Sequence, residues 1–114
     1  IEYMQTDSGF FTSKFVPFKG GKDSGFNSLY YPGEACLGLV YLASIDETYK
    51  HKWLTIATKA LLHLHKIRET QSLEAIEPDH WALLATAELL PQLDKSVVEY
   101  ELVYEHAIKV VKSM

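Results

Sequence analysis

The chain has 114 residues, which is the length of one domain with one core. Its residues are 47% hydrophobic and 23% charged, and this composition excludes an intrinsically disordered chain. The formal net charge of -4 argues against a protein that binds nucleic acid generally, because phosphate binding needs clustered lysines and arginines. The chain has one cysteine, Cys36, which excludes an internal disulfide and a zinc site with several cysteine ligands.

The N-terminus carries no recognisable export or membrane signal. Residues 1–11 lack a basic start followed by an apolar run, and no stretch approaches about 18 consecutive apolar residues. We therefore expect no membrane partner, and a soluble cytoplasmic protein is the default expectation. The chain begins with Ile1 rather than methionine, and we therefore expect it to be a piece of a longer protein.

Residues 1–31 combine glycines and turn-forming residues with many aromatic side chains. A disordered tail seldom carries so many aromatic residues, so we predict an ordered loop segment that packs on the helices. Its composition favours short strands around residues 10–18 and a turn at residues 19–22.

Residues 32–114 show a helical pattern and predict an all-α domain of four helices. Pro32 suits the first position of a helix, and Pro91 either ends the third helix or starts the next segment. The first and third helices are apolar almost all round, whereas the second and fourth are amphipathic. The four segments are 32–45, about 47–68, about 79–90 and about 95–113.

The alternation of apolar and amphipathic helices predicts two antiparallel hairpins, each with an inner and an outer helix. A helix that is apolar on all sides is expected to be covered on all sides, and short connections make neighbouring helices antiparallel. The apolar stripe predicted for the fourth helix contains Tyr100, Val103, Tyr104, Ala107, Val110, Val111 and Met114.

The two inner helices run parallel in this arrangement, so their N-terminal ends are predicted to converge on one surface. The first begins within SLYYPGEA (28–35) and the third within EPDHWALL (77–84). The side chains expected at this surface are Tyr30, Tyr31, Glu34, Asp79, His80 and Trp81.

These residue types suit carbohydrate chemistry. Glu34 and Asp79 form a candidate catalytic pair, since two carboxylates can act as general acid and base, or as acid and nucleophile, on a glycosidic bond. His80 is a third catalytic candidate because an imidazole exchanges protons near neutral pH. The rings of Tyr30, Tyr31 and Trp81 offer flat apolar faces to a sugar.

Each of these residues also has a structural interpretation, which stays open. Glu34 at the third helical position can bond the cap amide and face the positive end of the helix. Asp79 is a natural helix cap, which stabilises a helix by about 1 kcal/mol. His80 and Trp81 can seal the loop against the core.

No metal or cofactor is expected. The other four histidines are predicted to lie on helical surfaces, and two of them are two residues apart and face different directions. Cys36 is predicted to be a small core residue. The four histidines are His51, His63, His65 and His106.

The segment of about residues 28–90 resembles part of the α/α toroid proteins of the six-hairpin glycosidase-like group. The resemblance is carried by Tyr30-Tyr31-Pro32-Gly33-Glu34-Ala35, two helices, and then Pro78-Asp79-His80-Trp81. It implies a ring of hairpins whose inner helices line a funnel. Many members act on sugars as hydrolases, epimerases or lyases.

By this resemblance the funnel residues are Tyr31, Glu34, Asp79, His80 and Trp81. A closed ring needs about six hairpins, whereas this chain supplies two, so it is expected to be a fragment or a small domain. Self-association is expected as well, because two outer helices cannot fully cover apolar inner helices. Whether it is an enzyme stays open; a complete catalytic parent would be a glycoside hydrolase by this resemblance.

A second resemblance points to a non-catalytic interaction scaffold. Leu37-Gly38 followed by Tyr41 is similar to the first helix of a tetratricopeptide repeat, although the period does not recur in the later helices. Two functions are therefore carried forward: carbohydrate binding or processing at the starts of the inner helices, and protein binding by a helical repeat.

Overall fold

The computed structural model describes residues 31–114 and, before them, Gln5, Gly9, residues 15–16 and residues 21–22. The predicted all-α fold is confirmed, with four helices in the described part of the chain. They are α1 (Tyr31–Ile45), α2 (Lys50–Arg68), α3 (His80–Leu89) and α4 (Val98–Ser113). Short 3-10 turns lie at Leu73–Ala75 and Leu90–Gln92.

Both outer helices begin later than the sequence pattern predicts, because an aspartate turn precedes each. Asp46 Oδ1 accepts hydrogen bonds from the amides of Thr48 and Tyr49 at 3.2 and 3.3 Å. Asp94 Oδ1 accepts from the amide of Ser96 at 2.9 Å. Such side-chain hydrogen bonds stabilise a turn where the pattern predicts the first residues of the helix.

Before α1, the described residues include a two-residue antiparallel ladder of β1 (Phe15–Val16) and β2 (Gly21–Lys22). Phe15 pairs with Lys22 and Val16 with Gly21. Gly21 and Lys22, predicted to lie in a turn, therefore belong to the second strand. Tyr30 lies outside the described residues.

Two residues from the start of the chain lie against α2. Gln5 Nε2 donates to the carbonyl of Gly9 at 2.9 Å and to that of Ile56 at 3.2 Å. Gly9 has φ of +103°, and a Cβ built there would lie 2.5 Å from the carbonyl oxygen of Lys59. Only glycine adopts this conformation and this close approach readily.

The helices form two layers. α1 packs on α2 and on α3, and α4 packs on α2 and α3. Following the predicted arrangement, we call the pair α1 and α3 the inner layer and the pair α2 and α4 the outer layer. The core between them is built from small and branched side chains, which include Cys36, Leu39, Val40, Ala57, Leu61, Ala85, Leu89 and Val103.

Within this chain the inner helices are not covered on all sides, as expected where only two outer helices are present. The buried face of α1 is formed by the residues at positions 35, 36, 39, 40 and 43. The other face leaves Tyr41 53% and Ile45 81% exposed, and on α3 Leu84 is 49% exposed. Two outer helices cannot cover both faces of an inner layer.

The predicted stripe of α4 is partly wrong. The buried residues of this helix are Val103, His106 and Val110, whereas Tyr104, Val111 and Met114 are exposed. The helix is rotated about its axis relative to the prediction because His106, expected on the surface, enters the interior to meet a polar partner on α2. Within the described helices, none is both long enough and apolar enough to cross a membrane.

Candidate functional site

The first turns of α1 and α3 lie side by side. A Cβ built on Gly33 of α1 would lie 2.7 Å from the amide nitrogen of Ala82 and 2.8 Å from the Cβ of Trp81. Any side chain at position 33 would therefore push the two helix starts apart. The glycine permits the close approach that brings the predicted site segments together.

Three candidate residues present side chains near this junction. Glu34 and His80 are exposed, and Trp81 is half-buried. The rings of His80 and Trp81 stack at a tilt, with centroids 5.1 Å apart and an interplanar angle of 36°. Tyr31 is the first residue of α1. The surface thus combines an exposed carboxylate with a pair of stacked rings.

Asp79 is placed differently from the exposed acid that a catalytic pair requires. Its side chain is 1% exposed, and it is the N-cap of α3. Oδ1 accepts from the amide of Ala82 at 3.0 Å, and Oδ2 accepts from Arg68 Nη2 at 2.8 Å. The capping interpretation of Asp79 is confirmed. The predicted role as acid or base does not fit this geometry, because such a group must reach the substrate.

The guanidinium of Arg68 joins Asp79 to α4. Arg68 is 7% exposed, and its Nη1 lies 3.0 Å from Nε2 of His106, which is 1% exposed. Burial, then the charges of Arg68 and His65, lower the pKa of His106 to about 3. The imidazole is therefore neutral, and because an arginine can only donate, Nε2 accepts and Nδ1 carries the hydrogen.

A second cation holds the same end of α2. Lys109 Nζ donates to the backbone carbonyls of Arg68 at 2.6 Å and of Glu69 at 2.9 Å. Lysine near a helix C-terminus satisfies free carbonyls and offsets the negative end of the helix. α4 therefore contacts the end of α2 through His106 and through Lys109. Of these two contacts, the one between His106 and Arg68 continues to Asp79 at the start of α3.

Sequence reasoning missed Arg68 and His106. A usable signal was present in the spacing: Arg68 follows Leu61 and Leu64 at steps of three and four, and His106 lies between Val103 and Val110 in the same way. This spacing places both polar residues on buried helix faces. Their burial is not predicted when charged and imidazole groups are assumed to stay in water.

The buried thiol of Cys36 matches its predicted core role. Its side chain is fully buried, and Sγ lies 3.6 Å from the carbonyl oxygen of Ala57. Burial, followed by the charge of Asp79, raises the pKa of the Cys36 thiol. A thiol with a raised pKa is a poor nucleophile at neutral pH, so Cys36 adds packing rather than reactivity to this region.

A groove of about 560 Å³ lies between α2 and residues 92–99. It is bounded by the first half of α2 and the segment after α3, so it lies at the opposite end of the inner layer from the junction of α1 and α3. Its apolar lining includes Leu54, Leu62, Leu93 and Val97, with His51 and Lys59 among the polar residues. Of the candidate site residues whose side chains the structure describes, none lines it.

Comparisons with models of known protein families, with curated proteins and with solved structures find no match to this chain. Over the described residues, no three histidine, cysteine, aspartate or glutamate side chains come together as a metal site. The assignment of a function therefore depends on the geometry at the starts of α1 and α3.

Proposed function

We propose that this chain contributes a carbohydrate-binding surface at the starts of α1 and α3, as part of a larger α/α-hairpin assembly. The observation that supports it most is the approach of Gly33 to Trp81 and Ala82, because it packs the first turn of α1, which carries the exposed Glu34, on the first turn of α3, which carries the His80–Trp81 ring pair. Flat rings and a carboxylate acceptor suit a sugar, since one face of a sugar is apolar and its edges carry hydroxyls.

The proposed roles follow from exposure. The half-buried Trp81 offers a ring face, the exposed His80 packs its ring against that of Trp81, and Glu34 accepts hydrogen bonds from sugar hydroxyls. The buried Asp79 does not contact the sugar; it caps α3 and so holds the first turn that carries His80 and Trp81. Hydrolysis would need a second carboxylate to act with Glu34, supplied by other parts of the assembly.

The test is a binding titration with linear hexasaccharides of glucose, N-acetylglucosamine and galacturonate. We expect one of the three to bind, and Trp81→Ala to weaken that binding by about tenfold or more, because stacking on an aromatic ring supplies much of the contact area. Glu34→Gln should weaken it less, since the amide still accepts one hydrogen bond.

Matched controls lie at the other end of α1. Glu47 is an exposed acid in the turn between α1 and α2, and Trp53 is the other half-buried tryptophan. Glu47→Gln and Trp53→Phe should leave the affinity unchanged. Equal losses in the control and site variants, or no binding of any of the three sugars to the wild-type chain, would contradict the proposal.

A second candidate function is an interaction scaffold, favoured by the exposed apolar face of the inner layer. Tyr41, Leu42 and Ile45 are 53%, 37% and 81% exposed along one side of α1. A second copy of the chain is the proposed partner, because such a face needs cover. Sedimentation velocity should show a dimer or higher species that Ile45→Glu converts to monomer. A wild-type monomer at high concentration would remove this candidate.

A further inference from the structure

We propose that Arg68 is the positioning residue of the candidate site: its guanidinium fixes the first turn of α3, and thereby Trp81 and His80, against the first turn of α1. The link to sugar binding rests on the proposed function. The positioning itself does not, because it concerns how three helices are joined.

The contacts form a continuous series from α4 to α1. His106 on α4 accepts from one arm of the Arg68 guanidinium, and Asp79 accepts from the other arm. The second oxygen of Asp79 accepts from the amide of Ala82. That same amide nitrogen is the atom nearest to a Cβ built on Gly33. The group that Asp79 holds is therefore the group on which α1 packs.

The geometry calls for an arginine. The two arms of the guanidinium lie 2.8 Å from Asp79 and 3.0 Å from His106, so one planar fork serves acceptors on two different elements. A lysine ammonium is a single point of charge on a flexible chain and cannot reproduce this arrangement. Because His106 is neutral, Asp79 supplies the counter-charge that Arg68 contacts among the described residues.

Lys109 provides the matched control. It also joins α4 to the end of α2, but through the backbone carbonyls of Arg68 and Glu69, and it has no bond to Asp79. Arg68→Met and Lys109→Met both remove a cation that joins these two helices. Only Arg68→Met releases the cap of α3.

The experiment is amide hydrogen exchange followed by NMR, together with the indole resonance of Trp81. In Arg68→Met, we expect the amide of Ala82 to exchange at least about tenfold faster than in the wild type, and the indole of Trp81 to shift. Arg68→Lys should give an intermediate result. Lys109→Met should leave both signals unchanged. The amide of Trp53, which bonds the carbonyl of Tyr49 at 3.1 Å, should exchange at the same rate in every variant.

Arg68→Met leaves the buried charge of Asp79 without a partner and can therefore unfold the protein. A double variant then provides the test. Arg68→Met with Asp79→Ser removes both charges and keeps a capping oxygen. Faster exchange at Ala82 in the folded double variant than in the single variant Asp79→Ser supports the positioning role, because both variants have the same capping oxygen. Wild-type exchange in the folded variants, or an equal effect of Lys109→Met, overturns it. Failure of the sugar proposal appears separately, as absence of sugar binding by the wild-type chain.

Discussion

Two aspartates, at opposite ends of the inner layer, use the same local chemistry in different surroundings. Asp46 accepts hydrogen bonds from two backbone amides in the exposed turn between α1 and α2, and it accepts the indole N–H of Trp53 at 3.0 Å. Asp79 caps α3 inside the protein and accepts the guanidinium of Arg68 at 2.8 Å. Near water a lost bond is replaced by hydration, whereas in the interior the partner is left as an unpaired charge. The start of α3 should therefore tolerate far less change than the turn.

The largest expected effect is that of Asp79→Asn. The amide keeps an oxygen that can cap α3, but it leaves the buried Arg68 without a counter-charge, which costs about 3–5 kcal/mol. The free energy of unfolding from urea denaturation measures this loss. Asp46→Asn is the control at the exposed end, and its effect should be clearly smaller. Similar losses in the two variants would remove the distinction between the two regions.

The second prediction concerns pH and the neutral His106. Its pKa of about 3 in the folded state lies below its ordinary value of 6.5, so the unfolded chain binds more protons between these limits. The contribution of the neutral His106 to the free energy of unfolding is complete above pH 6.5. It is lost as the pH falls toward 3, at up to about 1.4 kcal/mol per pH unit.

His106→Gln isolates this contribution, because glutamine is a neutral acceptor that can still face Arg68. The difference in unfolding free energy between wild type and His106→Gln should change between about pH 6.5 and 5, with the wild type losing more stability as the pH falls. His65, whose ring centroid lies 6.4 Å from that of His106, stays in both proteins. A difference that does not vary with pH would show that His106 is not held neutral by its surroundings.

The helices could be predicted from the sequence, because their pattern of apolar residues has the period of a helix and the turns between them carry Asp46 and Asp94. The capping role of Asp79 could also be anticipated, since an aspartate directly before an apolar helix commonly has this role. The burial of its carboxylate could not, because it depends on contacts distant in sequence: Asp79 lies 11 residues from Arg68, and Arg68 lies 38 residues from His106.

Incomplete cover of the inner helices could be predicted, because two outer helices cannot enclose them, but which residues of α1 stay exposed could not. Tyr41 and Ile45 look like core residues when the helix is considered alone, and only the packing of both outer helices on one side of the inner layer leaves them in water. Composition indicates how much of a helix is apolar, whereas exposure depends on how many neighbours are available to cover it.

The third prediction compares Gly33 with Gly38 on the same helix. Gly33→Ala places a Cβ 2.7 Å from the amide nitrogen of Ala82, and this overpacking should cost about 1–3 kcal/mol as the helix starts move apart. A Cβ on Gly38 meets nothing within 4 Å, so Gly38→Ala should stabilise the protein by about 0.5–1 kcal/mol through helix propensity alone. Thermal unfolding of both variants tests this, and a sign that is the same at both positions would contradict the close approach of α1 and α3.

The smallest expected effect is that of Trp53→Phe at the exposed turn. The indole N–H of Trp53, and then the backbone bonds of the turn, lower the pKa of Asp46. Phenylalanine keeps a ring but has no donor, so the pKa of Asp46 should rise toward its ordinary value, as followed by the carboxyl carbon shift during an NMR titration.

The sign of the accompanying stability change follows from the lowered pKa of Asp46. A lowered aspartate pKa stabilises the fold above the unfolded pKa, and this contribution is lost as the pH falls through the folded pKa. The wild type should therefore be slightly more stable than Trp53→Phe at pH 7, and the part of the difference that comes from Asp46 should disappear in acid. The difference should stay small because Asp46 is only half-buried, in a turn whose other residues are exposed. A loss at pH 7 as large as that of Asp79→Asn would mean that this turn, like the start of α3, depends on a bond that water cannot replace.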